Sequence, residues 1–358
     1  MGNRYFAVSA AVDPARAGVG AHYDVWCASP CPVAGAVQVG AMHSLKGCFI
    51  SLLVMTVLAC GNSTAPAPLH FVLATPISVA GSPVDVAVLS TGLALVTRST
   101  VDSVQEVNLT DSTALAAVPV EVLPTFVIFG PTGTTAYVSN QGSNTIGVIN
   151  VATAVQSDSI RVNGNPVPMQ VTADEKTLFV ATNVNRLYRI DLATKTATDS
   201  LDLPATSHHL LLRPDGARLY VATRDGGSVL EVDPATLTVL RTFTLGGRTQ
   251  AMAFSRDGTV LYVANELRPL VQSINLTPGT VGDSAILAGE ANGIALDASG
   301  ARIFASLIFS GAVAVIDRAT MIVDTTITTG GMPRAVVSDA PRDQIIVANQ
   351  GGWLDVIR

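Results

Sequence analysis

The chain has 358 residues, 48% of them hydrophobic but only 5% aromatic and 13% charged, with a formal net charge of −6. From Cys60 onward 18 Lys and Arg stand against 25 Asp and Glu, which argues against the basic footprint that nucleic-acid binding needs. The cysteines, Cys27, Cys31, Cys48 and Cys60, all lie in the first sixty residues, so the rest of the chain cannot be stapled by disulfides.

Residues 1–41 fit no folding pattern and read as a mis-called or disordered extension, with Met42 well placed as the true start. Residues 42–60 read as a secretory signal peptide: Lys46, an apolar run from Cys48 to Ala59, then Val57-Leu58-Ala59-Cys60. The run is too short to span a bilayer permanently. Residues 61–70, with Gly61, Asn62, Ser63, Pro66 and Pro68, suit a flexible tether.

From residue 71 to 358 one unit recurs. Its marker is a short apolar step: Leu95-Val96, Tyr137-Val138, Phe179-Val180, Tyr220-Val221, Tyr262-Val263, Phe304-Ala305 and Ile346-Val347. Successive markers are 42, 42, 41, 42, 42 and 42 residues apart, a period characteristic of propeller blades. Each unit reads as four strands. Around Tyr262 they begin with Ala251 to Phe254, turn at Asp257-Gly258, and continue through Leu261 to Ala264 and Val271 to Asn275. In the third unit Asp174-Glu175 replaces the Asp-Gly pair, which predicts a different turn type there. After the third strand, Asn150, Asp191, Asp233 and Asp317 each precede Ala-Thr by one residue, and these side chains are expected to cap turns.

The last unit stops at a third strand, Leu354 to Arg358, while a spare segment, Ile77 to Pro83, precedes the first. An open ring would leave two unsealed interfaces. The expected fold is therefore all-β: a seven-bladed propeller of four-stranded blades, with an N-terminal strand completing the last blade.

Tyr262-Val263-Ala264-Asn265, Gly330-Gly331-Met332-Pro333 and Val315 to Thr320 resemble the YVTN-type β-propeller repeat family. The resemblance implies the fold and leaves activity open, since such propellers serve as enzymes, cofactor holders and scaffolds. Val57 to Cys60 resembles a bacterial lipobox, which implies lipidation at Cys60, membrane attachment through the lipid, and a place in the cell envelope facing the periplasm or cell surface.

In propellers a ligand site is expected at the mouth of the central channel. The residues leading into the seven inner strands contribute a polar minority: Asp85, His208, His209, Gln250, Asn292 and Arg334. Loops between second and third strands add Arg98, Asn140, Asn144, Asn183, Arg186, Arg224, Asp225, Glu266, Arg268 and Trp353. The adjacent His208 and His209 would point to opposite faces of a strand and so cannot share one metal ion. Arg334 either grips a carboxylate or phosphate or, the favoured reading, pairs with Asp85 across the ring closure. Trp353 is either a stacking platform or packing over the seventh blade. No catalytic residue, metal or cofactor is expected. Cys-x-x-Cys-His is absent, as are Gly-x-Ser-x-Gly, His-Glu-x-x-His and a phosphate-cradling glycine loop. The leading expectation is a scaffold that binds a small molecule or a protein without catalysis. The alternative is a lactonase- or lyase-like enzyme with His208 or His209 as base and Arg334 as anion anchor.

Overall fold

The structure, a computed structural model, describes residues 71–358; the expected extension, signal peptide, tether and Cys60 lie outside the described residues. Seven antiparallel four-stranded sheets follow one another along the chain. The innermost strands are Pro83–Val88, Pro124–Phe129, Pro166–Val171, Ser207–Leu212, Thr249–Phe254, Ala291–Leu296 and Pro333–Asp339, which define blades 1 to 7.

Each blade buries both faces, so its second strand has apolar residues in succession and not in alternation. In blade 1, Leu93–Arg98, Leu95 packs towards blade 2 with Val138 and Ile149, whereas Ala94 and Val96 pack towards blade 7 with Ile346 and Val356. This two-residue period explains the marker step: its two members seal two different interfaces. The result is seven separate hydrophobic cores, one between each pair of neighbouring blades.

The seventh blade closes the ring as expected. Ile77–Ser78 pairs with Trp353–Ile357, Ile77 opposite Leu354 and Ser78 opposite Trp353. Further back, Val72 and Arg358 exchange backbone hydrogen bonds of 2.7 and 3.0 Å. Ile77 and Val79 then join Leu354 and Val356 in the core between blades 7 and 1.

The acids before Ala-Thr do cap turns. Asp233 Oδ1 accepts from the amides of Ala235 and Thr236 at 2.8 and 3.2 Å, and Asp317 Oδ1 from those of Ala319 and Thr320 at 3.0 and 2.9 Å. The expected change of turn type in the third unit does not occur. Glu175 has φ +52°, in the left-handed region occupied by Gly133, Gly216, Gly258 and Gly300, and its amide bonds to Thr172 as theirs bond three residues back. A Cβ at such a φ is costly. Here the Glu175 carboxylate offsets that cost by accepting the amide and hydroxyl of Thr132 at 2.9 and 2.8 Å.

Candidate functional site

All seven innermost strands break register against their neighbours within three residues of their start, between Pro83 and Val86, Pro124 and Phe126, Pro166 and Met169, Ser207 and His209, Thr249 and Met252, Ala291 and Ile294, and Pro333 and Val336. A bulge leaves a residue unpaired and re-aims its side chain. Seven bulges at one level of a ring therefore turn one band of side chains away from the sheet ladders at one end of the channel. The cavity there holds about 700 Å³ and is lined by Asp85, Thr125, His208, His209, Asn292 and Arg334, with Gln141, Asn183, Arg224 and Asp225 from the loops above.

The charges at this mouth fall into two groups. Arg224 Nη2 pairs with Glu266 Oε2 at 3.1 Å, and Arg248 lies 3.6 Å from Oε1 of the same carboxylate. Arg248 Nε also pairs with Asp225 Oδ1 at 2.8 Å. Gln250 donates to Glu266 from behind and is wholly buried. These groups neutralise one another. Arg334 does not: no carboxylate pairs with it among the described residues, and its buried Nε has no hydrogen-bond partner. Burial and the Arg224 charge lower its pKa, and Glu266 opposes them.

The expected Arg334–Asp85 salt bridge is not formed. Asp85 Oδ2 instead accepts the Val127 amide of blade 2 at 2.9 Å, facing away from blade 7. Burial pushes the Asp85 carboxyl up to about 7, against the pull of that hydrogen bond. Blade 4 repeats the contact with a different residue, His209 Nδ1 accepting the Met252 amide of blade 5 at 3.4 Å. The His209 ring lies 6.0 Å from that of Phe126. Burial lowers His209 to about 4; burial and then the charges of Arg224 and Arg334 lower His208 to about 3. Both imidazoles are neutral at pH 7.

The structure thus brings together Asp85, His208, His209, Asn292 and Arg334 around one cavity. Gln250 stands behind the Arg224–Glu266 pair. Trp353 lies apart: its indole donates to Asp355 Oδ1 at 2.8 Å and its ring lies over Gly351, so it packs over blade 7. Other loop candidates are engaged locally: Asn144 accepts the amides of Gly164 and Asn165, Arg268 donates to the Leu245 carbonyl, and Arg186 pairs with Asp202 on the neighbouring strand. Thr125 and Gln170 also line the cavity and were missed. Gln170 had a signal, as a polar residue in an otherwise apolar innermost strand.

Gly293 fixes the position of Arg334. A Cβ there would come within 2.1 Å of the Arg334 carbonyl oxygen, which also accepts the Ser306 hydroxyl at 2.5 Å. Blade 6 can approach the Arg334 backbone this closely only without a side chain at 293. Among the described residues no group of three His, Cys, Asp or Glu is placed to hold a metal ion.

No protein-family model matches the chain, and no curated protein matches it in sequence. Among solved structures it is similar to a chain of hydrazine synthase from Kuenenia stuttgartiensis, with a TM-score of 0.71 over 78% of this chain and 96% of that one. Identity is 18%. The likeness is one of fold. Both chains are built as propellers, and the polar set at the mouth has to be read from this chain alone.

Proposed function

We propose that this propeller is a binding scaffold whose channel mouth holds a small organic anion. One observation carries the reading: Arg334 is a half-buried cation without an acidic partner among the described residues, its Nε unbonded, at the wall of a cavity large enough for a small molecule. An unpaired charge removed from water is costly, and an anionic ligand compensates it. The guanidinium fork suits a carboxylate. Addition of saturating carboxylate ligand should raise the melting temperature of the protein by mass action. Arg334→Gln should abolish the shift while leaving the unliganded melt within a few degrees. An unchanged shift in that variant would remove Arg334 from the site.

The wider setting is proposed on sequence features: a YVTN-type propeller, exported by residues 42–60 and held in the cell envelope by a lipid on Cys60. A lactonase- or lyase-like enzyme is the second reading. Histidines held near 3 and 4 are weak bases, and the group in the cavity suited to proton transfer at neutral pH is Asp85, at about 7.

A further inference from the structure

Arg334 accounts for one end of the cavity and leaves the rest of its wall unexplained. That wall is apolar and one-sided. Val88 of blade 1, Ile128 and Phe129 of blade 2, Ile294 of blade 6 and Val337 of blade 7 all face the cavity. Val88, Ile128, Phe129 and Val337 are only half-buried: one flank packs into the cores between blades, and the other is left open to the channel. Blades 3 to 5 contribute a mainly polar arc instead, with Gln170, Asn183, His208, Arg224 and Asp225.

Charge counting narrows the ligand further. Arg224 is matched by Glu266, and Asp225 by Arg248. His208 and His209 are neutral at pH 7, and the Asp85 carboxyl, pushed up to about 7 by burial, turns its Oδ2 to the Val127 amide of blade 2 and away from blade 7. Among the described residues lining the cavity, Arg334 is the cation with no carboxylate paired to it. A single negative charge balances it, whereas a dianionic phosphate would bring a second charge with no cation to pair with into a partly apolar cavity.

Building on the anion site proposed above, we propose that the ligand is an amphipathic monocarboxylate, its carboxylate on Arg334 and its hydrocarbon body along the apolar wall of blades 7, 1 and 2. The one-sided wall gives the body a defined seat, and covering Val88, Ile128, Phe129 and Val337 supplies the affinity that a lone ion pair near water lacks.

The test is calorimetric titration of the full chain with acetate, butyrate, hexanoate and octanoate at fixed pH and ionic strength, with inorganic phosphate, octanol and octylammonium in parallel. The expected result is an affinity that rises about three- to fourfold per added CH₂. Octanoate should bind far more tightly than either octanol or octylammonium. The near-isosteric pair Val88→Thr and Val337→Thr should flatten the chain-length dependence, weakening octanoate more than acetate, whereas Arg334→Gln should weaken all four acids. Acetate or phosphate binding as tightly as octanoate would overturn the amphipathic ligand and leave the anion site standing. Octanol binding as tightly as octanoate would leave the apolar wall and overturn the anion site. Since the ligand series needs no substitution, the outcome does not depend on whether a variant folds.

Discussion

Asp85 shows how far a single side chain departs from its sequence reading. Beside Arg334 across the closure it looked like half of a salt bridge, because both residues lead into neighbouring innermost strands. What that proximity hid was the bulge, which aims Asp85 at the Val127 amide and leaves the carboxyl buried without a cation. The consequence is a pH dependence of defined sign. The folded-state pKa, about 7, lies above the ordinary 3.8, so the folded protein binds a proton more tightly than the unfolded chain. This group's contribution to stability is complete below about 4 and is lost as pH rises through 7, by up to about 4 kcal/mol. His208 and His209, lowered from 6.5, act oppositely and lose stability as pH falls from 6.5 towards 4 and 3. Asp85→Asn keeps an acceptor for Val127 and removes the titration. Denaturant unfolding should find the variant more stable than the parent at pH 8 by a few kcal/mol and equal to it near pH 4. Equal stability at both pH values would mean that Asp85 is ionised in the folded protein without cost.

At the scale of the strand, period and turns were legible and the bulges were not. Period-2 apolarity marks a strand whichever register it adopts, and nothing in Pro83-Val84-Asp85 or Ala291-Asn292-Gly293 signals a skipped pairing. Glu175 was misread for a related reason: glycine is the easy residue at a left-handed position, so its absence suggested another turn, but a carboxylate that bonds Thr132 of the preceding blade supports the same backbone. The Asn that follows Val-Ala, at Asn265 and Asn349, ties down the loop that precedes its own blade's innermost strand. Asn265 accepts the amides of Arg248 and Arg268, each at 3.1 Å, and donates to the Gly246 carbonyl at 2.7 Å, stapling the loop that enters blade 5. Asn265→Ala should cost about 2–4 kcal/mol, the sum of lost bonds and stranded buried partners. In the bulge of blade 6, Gly293→Ala should push on the Arg334 carbonyl and reduce carboxylate affinity along with stability. A variant that kept full affinity while losing stability would separate the two effects and show that Arg334 tolerates a displaced backbone.

For the whole molecule, the ring was the most legible feature, because seven cores between seven blades require every unit to repeat the same two-sided burial. The site was the least legible, because it depends on which residues fill one level of the ring, and the repeat leaves that level free to vary. Closure links the two. Ile77–Ser78 and the backbone bonds around Val72 are the only strand contributed to a blade from the far end of the chain among the described residues, and the core between blades 7 and 1 draws Ile77 and Val79 from it. That interface also carries Val88 and Val337, two side chains of the proposed apolar wall. Deleting residues 71–80 removes those apolar contacts and exposes the edge of Trp353–Ile357. The melting temperature should fall sharply, by 10 °C or roughly that order for a loss of several kcal/mol in a domain this size. Blades 3 to 5, whose cores have no member from the deleted segment, should keep their amide-exchange protection longer than blades 7 and 1. Uniform loss of protection around the ring would show that the propeller unfolds as one cooperative unit, and an unchanged melt would show that the closing strand contributes nothing to it.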